Sequence, residues 1–133
     1  MRRIAIIFSL TLGMLLPGAV SAAAQRCSVS ITPAAGSPTG VYRIAVGGVP
    51  VDQAGGSVEV RLDLRRTGSR DGSIYFVFLI PGVTDFYVDH NVAYEGEPPP
   101  DPLVPGRYLV QVDTPHLRGG CHTVGQFVVE PAL

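Results

Sequence analysis

Val58-Glu59-Val60-Arg61-Leu62-Asp63-Leu64-Arg65 decides how the rest of the chain is read. Val58, Val60, Leu62 and Leu64 fall on one face of an extended segment, and Glu59, Arg61, Asp63 and Arg65 fall on the other. Strict period-two alternation over eight residues is the mark of a strand with one face in a core and one in water. The same period recurs outward in both directions. Towards the N-terminus, Tyr42, Ile44 and Val46 alternate with Arg43 and Ala45, and Cys27–Thr32 forms a first strand ended by Pro33 and Gly36. Towards the C-terminus, Ser73–Ile80 is a continuous apolar run, read as a strand covered on both faces. Pro81-Gly82 turns the chain into a fifth strand at Thr84–Asp89. Gly106–Asp113 is a sixth and Cys121–Val129 a seventh. No segment after residue 24 carries a 3.6-residue repeat long enough for a helix. The 16 Gly and 12 Pro fall largely between the strands, where turn chemistry needs them. Seven short strands in a chain of 133 residues predict one all-β domain, a seven-stranded β-sandwich.

Residues 1–24 read as a cleaved secretory leader. Arg2 and Arg3 form the positive start, and Ile4–Leu16 is an apolar core of 13 residues, short of the roughly 20 that span a bilayer. Pro17-Gly18 breaks it, and Ala22 and Ala24 offer the small residues for cleavage before Gln25. Lipid attachment at Cys27 is disfavoured by Arg26 directly before it. The expected mature domain is therefore 25–133, secreted or periplasmic, with no retained membrane span. All ten basic residues are arginine, and losing Arg2 and Arg3 moves the net charge from −1 to −3. That balance excludes a dedicated nucleic-acid binder, which needs a clustered basic surface to neutralise phosphates.

Cys27 and Cys121 open the first and last strands. Two cysteines in an exported chain predict a disulfide, which would close most of the domain into one loop. A metal or catalytic thiol beside His122 is the alternative.

The stretch Leu103-Val104-Pro105-Gly106-Arg107-Tyr108 resembles the tyrosine corner before strand F of immunoglobulin-like and fibronectin type III domains. Ile31-Thr32-Pro33-Ala34-Ala35-Gly36, running on to Tyr42–Val46, is similar to the entry of bacterial secreted immunoglobulin-like modules. The resemblance implies an immunoglobulin-like sandwich in which the Tyr108 hydroxyl bonds back to the chain a few residues upstream. It departs from antibody domains in having no Trp and no cysteine pair between the second and sixth strands.

Three groups of residues are candidates for chemistry. His90, His116 and His122 invite a metal, but His90 follows the fifth strand at the opposite end of a sandwich from the other two. Only His116 and His122 could share a weak zinc or copper site. The acidic, proline-rich connection with Glu95, Glu97 and Asp101 is longer than a turn needs and is a candidate surface for a partner; its carboxylates could also hold calcium, without the spacing of an EF-hand. Arg65, Arg66 and Arg70 form a basic connection at the same end, able either to grip an anionic partner or to neutralise those carboxylates.

No hydrolase elbow, P-loop, zinc-protease helix or dinucleotide fingerprint is present. The expectation is thus a non-catalytic binding module without a cofactor, whose partner is a protein or a cell-envelope glycan. Two alternatives stand beside it. One is weak metal handling at His116 and His122. The other is protease inhibition, because Ser37-Pro38-Thr39-Gly40 is similar to a loop of chagasin-type inhibitors.

Overall fold

The computed structural model describes residues 27–133. The expected leader at 1–24 lies outside the described residues. Among the described residues eight strands follow one another: β1 (Ser28–Thr32), β2 (Ala35–Gly36), β3 (Tyr42–Gly47), β4 (Val58–Arg66), β5 (Gly72–Leu79), β6 (Phe86–His90), β7 (Gly106–Asp113) and β8 (His122–Val129). They form two sheets, one of three strands ordered β1-β3-β6 and one of five ordered β2-β8-β7-β4-β5. All pairings are antiparallel except β2 with β8.

The all-β class agrees with the alternation, while the count is eight rather than seven. The added strand, β2, is two residues long, so period-two reading has nothing to detect in it. Its existence rests on backbone bonds alone, from Val128 N to Ala34 O and from Glu130 N to Gly36 O. Gly36 is needed there because a Cβ would lie 2.9 Å from the Tyr42 hydroxyl.

The core lies between the sheets and uses the residues that alternation selects. Tyr42, Ile44 and Val46 come from β3, and Val58, Val60, Leu62 and Leu64 from β4. Val110 and Val112 of β7 and Phe127 and Val129 of β8 complete it. Each such side chain contributes about 1.5–3 kcal/mol on burial. Three of its rings stack in sequence: Phe127 lies 4.6 Å from Tyr42 and 5.0 Å from Tyr108, centre to centre. Both tyrosine hydroxyls point out of the core and donate to backbone, Tyr42 to Ser37 O and Tyr108 to Val104 O, each at 2.7 Å. Where β1 crosses β8 the sheets approach closely: a Cβ on Gly125 would lie 2.8 Å from Ile31 and 2.9 Å from Val29.

Cys27 and Cys121 form a disulfide with Cα atoms 5.7 Å apart, spanning 94 positions. It ties the chain just before β1 to the chain just before β8, and so links the two sheets. Two cysteines engaged in this way leave no free thiol among the described residues.

One expected feature fails. Ser73–Ile80 is not covered on both faces; β5 is the last strand of its sheet, and Ile74, Phe76, Phe78 and Ile80 face outward and are exposed. An uninterrupted apolar run specifies extended backbone without specifying that both faces are buried. The tight Arg66–Gly72 hairpin keeps β5 beside β4 instead of sending it to the other sheet.

Candidate functional site

The β7–β8 connection is built as successive turns. Leu117 N bonds to Thr114 O, and Gly120 N bonds to Leu117 O. Cys121 N donates to Thr114 Oγ1 at 2.9 Å, so the disulfide and the turn share one anchor. Gly120 has no room for a side chain, since a Cβ would overlap Thr114 Oγ1. The loop carrying His116 is therefore held in place.

Asp113 and His122 stand directly opposite in the β7–β8 ladder. Their side chains meet on the outer face, with His122 Nδ1 2.5 Å from Asp113 Oδ1. The bond fixes the orientation of the imidazole and leaves Nε2 without a partner among the described residues. A carboxylate on one ring nitrogen is how ligating histidines are commonly oriented. His116 forms a second pair, its Nε2 3.6 Å from Glu59 of β4. The shallow cleft below His122 has a volume of about 380 Å³, and Arg61, Thr114 and Cys121 help to line it. Arg61 Nε is buried there without a partner. Its charge opposes a cation and limits how tightly one can be held. Among the described residues, no three His, Cys, Asp or Glu side chains come together as a metal-holding group.

His90 lies at the other end of the sandwich, as expected from strand direction. It is not a solvated loop residue: it closes β6, is 8% exposed, and shares a 2.6 Å hydrogen bond with Tyr75. Burial pushes its pKa below the ordinary 6.5.

The two charged connections do share that end. Arg66, Asp71, His90, Asp101, Leu103 and Tyr108 contribute to a cleft of about 470 Å³ between the β4–β5 hairpin and the β6–β7 connection. Mutual neutralisation does not occur among these residues, however. Arg65 turns back along its own strand to Asp63 at 2.9 Å, and Arg66 and Arg70 form no ion pair with Glu95, Glu97 or Asp101. The stem of Arg66 instead packs over Gly106. Residues two apart on one strand face meet more readily than residues on two separate loops.

The Ser37–Gly40 turn is occupied structurally. Ser37 O accepts from Tyr42 Oη, Pro38 O from Leu103 N and Asn91 Nδ2, and Gly40 O from Asn91 Nδ2. Asn91 takes a left-handed backbone (φ 69°) to make these contacts.

Sequence reasoning passed over two features. One is the Asp113–His122 pair, whose signal was present in the equal distance of both residues from the β7–β8 turn. The other is the outer face of the three-stranded sheet, where Arg43 stacks 3.8 Å over the Tyr87 ring and bonds to Asp89 at 2.9 Å. That bond holds the Asp89 carboxyl below its ordinary pKa.

No protein-family model matches the chain, and comparison with curated proteins gives no match. Among solved structures, the chain is similar to two variants of a superoxide reductase (neelaredoxin) from Ignicoccus hospitalis. One has 13% identity and a TM-score of 0.53, covering 88% of this chain and 89% of that one. The other has 10% identity and a TM-score of 0.50, covering 81% of each. At these identities the likeness is one of fold. The neighbours that share the fold are enzymes, so the expectation that the chain is not an enzyme no longer stands on its missing motifs: a β-sandwich can assemble a site from residues far apart in sequence.

Proposed function

We propose that this chain is an exported, metal-handling β-sandwich that takes up a divalent transition ion weakly at the β7–β8 end. His122 is the principal donor in this reading, and His116 is the second histidine at that end. The observation that carries it is the 2.5 Å contact between Asp113 and His122, which orients the ring and leaves Nε2 available to a cation. Export is supported by the disulfide and by the leader-like sequence at 1–24.

The finer fold assignment belongs to the same proposal. A β1-β3-β6 sheet facing a β2-β8-β7-β4-β5 sheet corresponds to the strand order of immunoglobulin-like domains that carry a short extra strand beside the last one. The Tyr108 bond to Val104, four residues upstream, supports the tyrosine corner.

Reduction of superoxide is stated in the name of the fold neighbours, and it consumes an electron that a redox-active group must deliver. Here both cysteines are joined, and no three-ligand group is found among the described residues. These residues do not fit a resident centre of that kind. Titration calorimetry with zinc(II) and copper(II), followed by superoxide-consumption assays of the loaded protein, tests the reading. One ion bound per chain, lost in His122→Ala, supports it. No heat from either ion in the unmodified protein removes it.

A second reading rests on the cleft between the charged connections, where Arg66 and Asp101 offer both signs of charge to a protein or glycan. Replacing 95–101 by a neutral linker should leave folding intact and abolish capture of such a partner.

A further inference from the structure

The exposed apolar residues are concentrated rather than scattered. Ile74, Phe76 and Phe78 alternate along β5 and Ile80 continues the phase, with 44%, 56%, 66% and 67% exposure. β5 also ends its sheet, with β4 on one side. Among the described residues, no backbone hydrogen bond reaches its other side. Soluble proteins usually blunt such an edge with a charge, a proline or a bulge. Nothing of the kind interrupts Ser73–Ile80.

We propose that β5 pairs antiparallel with β5 of a second copy, about a twofold axis through Val77, and so makes a homodimer with one continuous sheet. The occupant is another copy because the strand is complementary to itself. In this register Phe76 stands opposite Phe78 of the second copy, Ile74 opposite Ile80, and Val77 opposite its own equivalent. On the inner face Tyr75 meets Leu79. Every central pair is apolar, and aromatic cross-strand pairs are favourable. Centring the axis on Phe76 instead would leave Ile80 opposite Gly72.

Charge agrees with this arrangement. The neighbouring column on β4 carries Glu59, Arg61, Asp63 and Arg65, two of each sign, so a twofold brings no net repulsion. Edge pairing covers the free backbone of β5 and the facing flanks of Ile74, Phe76, Phe78 and Ile80, and it extends their apolar row across both copies on one face of the sheet. The new ladder satisfies the free N–H and C=O groups of both edges, as in strand addition generally.

Light scattering coupled to size exclusion, run on the full chain across micromolar concentrations, reads the state directly. The expected mass is twice that of one chain, falling to a single chain in Phe78→Lys with the circular-dichroism spectrum unchanged. Under mild oxidation Val77→Cys should cross-link two chains, because residues on the axis are within disulfide reach. Ile74→Cys should not, because it faces Ile80. A monomer at every concentration overturns the proposal. So does a dimer that survives Phe78→Lys and leaves Val77→Cys uncrosslinked, which would place the interface elsewhere.

Discussion

Tyr75 of β5 and His90 of β6 belong to different sheets, and their side chains meet in a 2.6 Å hydrogen bond. Burial raises the tyrosine pKa above its ordinary 10.0 and lowers the histidine below 6.5. The hydroxyl therefore keeps its proton and the ring is neutral at pH 7; Tyr75 Oη donates to Nδ1 when the ring proton is on Nε2, and accepts from Nδ1 in the other tautomer. The bond joins the sheets at the side where β5 and β6 are both terminal strands.

Tyr75→Phe should cost about 1–3 kcal/mol, the penalty for leaving a buried ring nitrogen without a partner. Urea denaturation of both proteins at neutral pH measures the difference. An unchanged midpoint would mean that water replaces the hydroxyl without loss.

The same pair sets a pH window. Below 6.5 the unfolded His90 binds a proton that the folded one resists, so stability should fall as the solution is acidified. Above 10.0 the unfolded Tyr75 loses a proton that the folded one keeps, so stability should fall again on the alkaline side. Thermal melts across pH should show both declines, and the acid one should be smaller in His90→Phe.

Removing the bridge between Cys27 and Cys121 releases a loop of 94 positions. The chain-entropy relation assigns such a loop about 4–5 kcal/mol, a large share of a small domain's stability. Denaturation with and without reductant should show a midpoint lowered accordingly, and Cys27→Ala with Cys121→Ala should match the reduced protein.

Gly125→Val places methyl groups where Val29 and Ile31 already lie, at 2.9 and 2.8 Å from the first added carbon. The sheets must part locally, and overpacking of this kind costs about 1–3 kcal/mol. Calorimetric melting of the variant checks it, and Gly125→Ala should fall between the two.

Asp113→Asn keeps the shape of the side chain facing His122 and removes its charge. Loss of an orienting carboxylate typically weakens metal binding about 10–100-fold. Zinc titration against the unmodified protein is the measurement. Equal affinities would mean that the carboxylate does not orient the ring for a cation.

The extent to which the chain could be read in advance varies along it. β7 follows its expected bounds, Gly106–Asp113, because a Pro-Gly corner and clean alternation mark both ends. β6 starts two residues later than expected and runs on through His90, since Asn91 turns the chain with a left-handed backbone that alternation cannot reveal. Arg65 was legible as a charged residue, but its choice of Asp63 over the acidic loop was not.

By itself, the sequence determined which residues are extended, which faces are apolar and that two cysteines stand at the openings of the first and last long strands. Those properties are local, because side-chain alternation and turn chemistry act over a few residues. Only the tertiary structure decided that β5 stays beside β4 and ends the sheet, so that an apolar run faces solvent. It alone also decided that His90 is buried against Tyr75 and that Asp113 orients His122. Each outcome depends on which strands become neighbours, and that is settled by packing and register between segments far apart in the chain.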